Sequence, residues 1–380
     1  MNNLTVLHIA NDYFGSTVYK NLIGELDNLG VIQIVYNPIR EHSSMYKNKI
    51  DLETSGSQII YSHILNKTTD RIFYPLKIRK ILRDITLKVD MSKVQFIHAH
   101  TWYSDGGVAY LLSKKYNIPY IVTIRNTDLN LFQKKLAYLR PFGRKILLKS
   151  RRVIIIASTY KDRVLNQPSL QCIRKELNEK IRIIPNGVDF YWLKNAVGNK
   201  KSNITSRFNV LFIGKFNRGK NVIALQEAVK LFSKEENKNI QLHIVGGGGT
   251  EAQKVLANVE RDPDLYKYYG KIYDKDELIK IFRSCDVFAM PSRHETFGLV
   301  YVEAMLQGLP VMYRKNEGID GYYTENIGEA VTIGDVEDIK EKLKLLYENY
   351  DSYELNTPLI AKNHDWRLIA RKYKEIYEYI

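Results

Sequence analysis

Cysteine is nearly absent from this 380-residue chain: Cys172 and Cys285 are too few for a disulfide framework or a cysteine zinc site. Cys285 lies in Ser284-Cys285-Asp286-Val287-Phe288, the setting of a buried thiol. Long apolar runs are missing too, and nothing approaches the roughly eighteen consecutive apolar residues of a spanning helix. Met1-Asn2-Asn3 carries no Lys or Arg, and the apolar run Leu4–Ala10 is short with His8 inside it. The start therefore reads as a buried strand and not as a secretion signal, and a cytoplasmic protein is expected. Neither half has G-x-G-x-x-G after its first strand, which disfavours a dinucleotide-dependent oxidoreductase. No nucleic-acid-binding module or stacking array of aromatics is present, so no nucleic-acid partner is expected.

Acid is missing from Leu131 to Thr159, within a chain that already carries 57 Lys and Arg against 42 Asp and Glu, a formal charge of +15. There Lys134, Lys135, Arg140, Arg144, Lys145, Lys149, Arg151 and Arg152 interleave with Leu131, Phe132, Leu136, Leu139, Phe142, Ile146 and Leu147. Segment 131–152 can sit on an anionic membrane surface, or it can be a solvated helix whose apolar face is core. The pattern alone does not separate these readings.

What the chain does have is a rhythm of short apolar runs and helix-period segments, the mark of parallel α/β units. In the first half the predicted strands are Leu4–Ala10, Val31–Tyr36, Val94–His98, Tyr120–Ile124, Val153–Ala157 and Ile181–Ile184, with helices over Val18–Leu29 and Gly107–Tyr116. Pro185-Asn186-Gly187-Val188-Asp189 is a turn signal, and polar Asn195–Arg207 reads as a linker. The second half restarts with strands at Val210–Ile213, Ile240–Val245, Val287–Met290 and Val311–Tyr313. Its helices are predicted at Val222–Phe232, Glu251–Val259, Leu278–Arg283, Leu299–Gln307, Val336–Asn349 and Trp366–Ile380. The expectation is an α/β protein of two doubly wound Rossmann-like domains facing across a cleft. Residues 1–192, joined by the terminal helix 364–380, are expected to form the first domain and residues 205–360 the second.

The sharpest chemical feature runs from Pro291 to Met305. A strand delivers a loop carrying Glu295, and the helix that follows carries Glu303 eight residues on. Between them Phe297, Gly298 and Leu299 fall in the first helical turn, where unpaired N–H groups and the helix dipole make a phosphate seat. A ligand with hydroxyls at both ends and phosphate in the middle would use all three groups. The plain alternative is that Glu303 is a solvated helix residue and Glu295 a capping acid. Gly214 ends the strand Val210–Ile213, and Lys215 and Lys220 follow it on a loop, where two lysines can bracket a diphosphate. Gly246-Gly247-Gly248-Gly249 lets a ligand or backbone approach closely, or is a flexible loop. Asp262-Pro263-Asp264 follows a helical stretch and reads as a turn rather than a metal motif.

Taken together, Phe212-Ile213-Gly214-Lys215 with Lys220, Leu242–Gly248, Tyr269-Gly270-Lys271-Ile272, Cys285–Ser292, the E-x7-E element and Gly308-Leu309-Pro310-Val311 resemble a known family. It is the family-4 retaining glycosyltransferases (glycosyl transferases group 1) with the GT-B fold. Ile184–Asp189 and Trp366 extend the likeness over nearly the whole chain. The resemblance implies that Glu303 holds the ribose hydroxyls and that Glu295 hydrogen-bonds sugar hydroxyls near the reacting carbon. Lys215 and Lys220 would neutralise the diphosphate, Phe297–Leu299 would hold a phosphate oxygen, and Lys271–Tyr273 would border the base. The family usually carries arginine where Lys215 stands. In the first domain the family's His-Gly pair is replaced by Arg125-Asn126. Arg125 could stabilise leaving-group or sugar oxygens, Asp128 and Asn126 could meet the acceptor, and His100 is a second catalytic candidate or a structural histidine. Gly15 would let the backbone approach the donor phosphate or acceptor.

The implied reaction is glycosyl transfer with retention, from a nucleotide-diphosphate sugar, UDP-sugar favoured, to a saccharide or lipid-linked saccharide for surface polysaccharide. Domain closure would exclude water. No cofactor and no metal are expected. Rival readings are a nucleotide-sugar epimerase and a non-catalytic sugar-nucleotide-binding protein on the same fold. The protein is expected in the cytoplasm, peripheral on the inner membrane face if segment 131–152 meets lipid.

Overall fold

The computed structural model describes residues 4–198, 207–332 and 334–379; most of the predicted linker, 199–206, lies outside the described residues. Two compact units emerge. The first comprises Met1–Ile156, Tyr160–Gly187 and Trp366–Ile380, and the second Ala157–Thr159 and Val188–Asp365.

The first unit is built on a parallel sheet of β1 (Thr5–Ile9), β2 (Ile32–Ile39), β3 (Gln58–His63), β4 (Phe96–Ala99), β5 (Tyr120–Thr123), β6 (Arg152–Ile155) and β7 (Ile181–Ile183). Its order is β3-β2-β1-β4-β5-β6-β7. β1, β4 and β5 are buried on both faces, which is why they read as unbroken apolar runs. The carboxyl-terminal helix Trp366–Glu378 sends Trp366, Ile369, Ala370, Tyr373 and Tyr377 into the core with Leu22, Leu26, Phe96 and Ile121. Strand order reverses between β1 and β4, so the loops after Ile9 and Ala99 open the crevice of this unit.

The second unit repeats the plan with β8 (Phe208–Gly214), β9 (Ile240–Gly246), β10 (Tyr266–Tyr268), β11 (Val287–Ala289), β12 (Val311–Arg314) and β13 (Gly328–Val331), in the order β10-β9-β8-β11-β12-β13. Here the switch point lies between β8 and β11. The loops that leave it carry Lys215–Lys220 and Pro291–Gly298. No helix among the described residues is long and apolar enough to cross a membrane.

The sequence reading anticipated the α/β class and the central strands. It missed β3, β10 and β13, each at an edge of its sheet. An edge strand is covered on one side only, and sequences such as Tyr266-Lys267-Tyr268 need no apolar run. Within segment 131–152, the helix Arg140–Lys149 buries Gly143, Ile146 and Leu147, so its apolar face is core; Leu131 and Tyr138 stay exposed.

Candidate active site

In the second unit, Glu295 and Lys220 meet. Lys220 Nζ lies 2.5 Å from Glu295 Oε2, with the side chains 27% and 12% exposed. Arg293 donates its backbone N–H to Gly219 O at 2.8 Å and so pins the two loops together. The other Glu295 oxygen accepts the Thr296 N–H at 2.9 Å, and the Glu295 N–H donates to Glu317 Oε2 at 3.2 Å. Glu317, which sequence reasoning passed over, thus holds the loop from behind.

Gly298 caps the helix Leu299–Leu306 in a left-handed conformation (φ 80°) with no side-chain cap bond. An added Cβ there would strike the Tyr301 ring and abut Glu295 Cγ at 3.1 Å, so glycine is required. Tyr301 N–H turns back to Gly298 O at 2.9 Å, and among the described residues no hydrogen bond engages the N–H groups of Leu299 and Val300.

On the same helix Glu303 is partly buried, and among the described residues no hydrogen bond engages its carboxylate. Burial raises its pKa to about 7; Lys275 opposes this and Asp189 adds to it. Lys275 itself pairs with Asp189 at 2.6 Å. An acceptor held this way suits hydroxyl donors better than a solvated carboxylate would.

Gly214 and Gly246 are paired in register at the ends of β8 and β9, and a Cβ on Gly246 (φ 135°) would collide with Gly214 O. A Cβ on Gly249 would collide with Phe216 O in the same way, and Phe216 N–H donates to Gly248 O at 3.0 Å. Gly246 and Gly249 therefore serve close backbone approach rather than looseness. Lys215 is exposed on its loop, and Tyr273 is 83% exposed. Tyr268, absent from the expected site, donates its hydroxyl to Gly246 O at 3.1 Å and borders the same glycines. Asp262 forms ion pairs with Lys230 and Arg261 at 2.9 Å each.

In the first unit Arg125 is placed by four groups. Its N–H donates to Asp128 Oδ2 at 2.8 Å, Nε reaches His100 O and Nη1 reaches Asn186 Oδ1, both at 3.4 Å, and the guanidinium lies 5.5 Å over the Tyr19 ring. Asn126 bonds Asn130. Asp128 is fully buried and also accepts the N–H groups of Trp102 and Tyr103, each at 3.0 Å. Burial still lifts its pKa to about 6 against those donors. Asp128 thus folds the Arg125 loop onto the end of β4, a positioning task visible only in three dimensions. Asp128→Asn keeps the volume but turns an N–H donor toward a backbone N–H, and should cost about 2 kcal/mol in a thermal melt. An unchanged melting temperature would remove this role.

His100 is buried against His8 and His98. Its Nε2 lies 3.1 Å from His8 Nδ1, and its ring stacks on His98 with centroids 3.9 Å apart. Burial first, then the neighbouring histidines and Arg125, hold His100 well below the usual imidazole range, so the ring is neutral. The ring nitrogens of these three histidines lie within 4.8 Å of one another. His98, however, spends both of its own on Tyr377 Oη (2.7 Å) and Thr123 Oγ1 (3.1 Å), as a core residue does. At Gly15 an added Cβ would meet nothing within 4 Å, so packing does not demand glycine there.

Beside these residues the first unit holds a cavity of about 490 Å³, lined among others by Asn11, Asp12, Arg40, Tyr74, Lys77 and Asp128. Lys77 is buried and donates to Ser104 Oγ at 2.8 Å. Burial pushes Lys77 down and buried Asp105 up, and their mutual attraction partly restores both. The sequence signalled none of this: Lys77 sits in the first turn of the helix Tyr74–Lys88, and only the fold turns it inward.

Two switch-point crevices, one with a lysine–glutamate pair at a helix start and a second glutamate one turn into that helix, define a glycosyltransferase of the two-Rossmann-domain GT-B class. The model described as "Glycosyl transferases group 1" matches residues 198–366, and "Glycosyltransferase Family 4" matches residues 15–191. The two models together take in most of the chain and support a group 1 glycosyltransferase of the GT-B fold. It is 25% identical over 374 residues to an uncharacterized glycosyltransferase, MJ1178, of Methanocaldococcus jannaschii, covering 94% of this chain and 92% of that one. Among solved structures it is similar to the lipopolysaccharide outer core galactosyltransferase WaaB (TM-score 0.72, 15% identity, 100% of both chains covered). It is also similar to Anabaena Alr3699/HepE in complex with UDP-glucose (TM-score 0.66, 17% identity, 100% of both chains covered).

Proposed function

We propose that the protein is a retaining hexosyltransferase that uses a nucleotide-diphosphate sugar, UDP-sugar favoured, and a saccharide or lipid-linked saccharide acceptor in surface polysaccharide biosynthesis. The observation that carries this reading is the partly buried Glu303 carboxylate, lacking a protein hydrogen-bond donor, on the helix whose start adjoins the Lys220–Glu295 pair. Glu303 accepts the ribose hydroxyls, the first-turn amides take a phosphate oxygen, and Glu295 meets the sugar. As the bond from the anomeric carbon to the phosphate oxygen breaks, charge grows on the diphosphate, and Lys220 and Lys215 offset it. Glu295 is committed to Lys220 and the Thr296 amide, so the acceptor oxygen attacks on the face the diphosphate leaves. The departing phosphate oxygen takes the acceptor proton. No metal is called for in this scheme. Support for the UDP preference and the polysaccharide setting comes from HepE, solved with UDP-glucose, and WaaB, which acts on lipopolysaccharide outer core.

Thermal-shift titration with UDP-, GDP- and ADP-sugars should raise the melting temperature for one base. The shift should vanish in both Glu303→Ala and Glu295→Ala. If both variants keep the full shift, the donor site lies elsewhere. Proton NMR of the first-formed product should show the donor's anomeric configuration.

A further inference from the structure

The cavity of the first unit has a rim that the proposed reaction leaves unused. Two helices supply one wall, Thr69–Ile72 and Tyr74–Lys88, and the turn Asp128–Gln133 supplies the facing one. The walls touch through Tyr74 and Phe132, with ring centroids 5.9 Å apart. These elements turn Asp70, Tyr74 and Lys77 inward, yet they leave Ile72 66%, Phe73 54%, Leu76 51% and Leu131 40% exposed, with Tyr138 just beyond at 62%. On the helix Tyr74–Lys88 the buried face is Tyr74, Ile78, Ile81 and Ile85. The opposite stripe is Leu76, Arg79, Arg83 and Leu87, all exposed, and runs about 16 Å at the helical rise. Exposed Lys134 and Lys135 stand beside Leu131. Of the acids that line the cavity, Asp70 is buried and paired with Lys80 at 3.0 Å, Asp128 is buried, and Asp12 alone is exposed.

Scattered apolar side chains are ordinary on a surface, but large ones gathered with cations on one rim are not. Arg79, Arg83, Lys134 and Lys135 outnumber the one exposed acid, Asp12, and would repel a second copy of the same rim. They complement an anionic lipid surface, into whose headgroup layer the aromatic and aliphatic side chains can partition. We propose that this rim, rather than the helix Arg140–Lys149, seats the first unit on an anionic bilayer, so that the cavity receives an acceptor carried on a lipid. The identity of the acceptor rests on the glycosyltransferase scheme above; the docking surface itself does not.

The test is co-sedimentation of the full chain with phosphatidylglycerol–phosphatidylcholine vesicles and with phosphatidylcholine vesicles, at low and high salt. The chain should bind the anionic vesicles at low salt. Phe73→Ser with Leu76→Ser should weaken that partition about tenfold at a nearly unchanged melting temperature, because about half of each side chain is already in water. Tyr379→Ser, at a position 84% exposed, should bind as the parent does. Failure of the parent to bind anionic vesicles at low salt overturns the inference. So does full binding by the double variant, or an equal loss in Tyr379→Ser. A UDP-sugar thermal shift on the same preparations separates the two readings. A donor shift without vesicle binding ends the lipid inference alone, and vesicle binding without any donor shift ends the donor assignment alone.

Discussion

Lys220→Ala should lower transfer by roughly 10²–10³-fold in kcat while donor affinity changes far less, because the lysine is asked to stabilise charge that appears only as the diphosphate leaves. The geometry adds a second effect that must be separated from the first. Lys220 Nζ is 2.5 Å from Glu295 Oε2, and the glutamate side chain is only 12% exposed, so the variant leaves a mostly buried carboxylate unpaired. Breaking a fully buried pair costs about 3–5 kcal/mol, and with the lysine 27% exposed a loss nearer 1–2 kcal/mol is expected. The double variant Lys220→Ala, Glu295→Gln removes the stranded charge. It should regain the stability and none of the activity. Turnover assays and thermal melts on the parent, Lys220→Ala and the double variant decide the matter. A kcat within threefold of the parent in Lys220→Ala would end the lysine's assignment to the leaving group.

Glu303→Gln should do the opposite to stability and yet abolish tight donor binding. In the folded protein the Glu303 carboxyl titrates at about 7, against an ordinary 4.5. Between these values the folded state holds a proton that the unfolded state has lost, so stability falls as pH rises through that window. Above about 7 the deficit is constant. Glutamine removes it: no gain below about pH 4.5, growing to a plateau above 7 of at most about 3 kcal/mol. The donor, however, loses charge-assisted bonds from its ribose hydroxyls, about 1.5–3 kcal/mol or ten- to a hundredfold in Kd. In the parent, donor affinity should itself improve as pH rises through about 7, since the carboxylate is the better acceptor. Melting temperature against pH, with donor titrations at pH 6 and 8, reads both effects. A glutamine variant with undiminished donor affinity would show that Glu303 is only a helix residue.

Much of this chain is legible because its chemistry is local. The runs at β1, β4, β8 and β11 are apolar because both faces of each strand are covered, and that signature survives in one dimension. The seven residues between Glu295 and Glu303 likewise span one loop and the helix it opens, so their spacing alone sets a carboxylate on each side of a helix start. The sequence by itself therefore determined the two doubly wound units and the residue types gathered at the crevice of the second unit.

Tertiary structure decided what each group can do. Lys220 and Glu295 are 75 positions apart, and only the β8–β11 switch point joins them. Whether Glu303 is solvated or desolvated depends on the helix Phe190–Lys194 and on Lys275, brought against it from distant stretches. Asp128 serves three backbone N–H groups, two of which lie more than twenty residues earlier. Segment 131–152 could meet membrane or core, and folding sent Ile146 and Leu147 inward while leaving Leu131 and Tyr138 in solvent. The physical reason is common to all four: burial and partner distance set the energy of a charge or an apolar side chain. Both are properties of the packed chain, and neither is written in any single stretch of it.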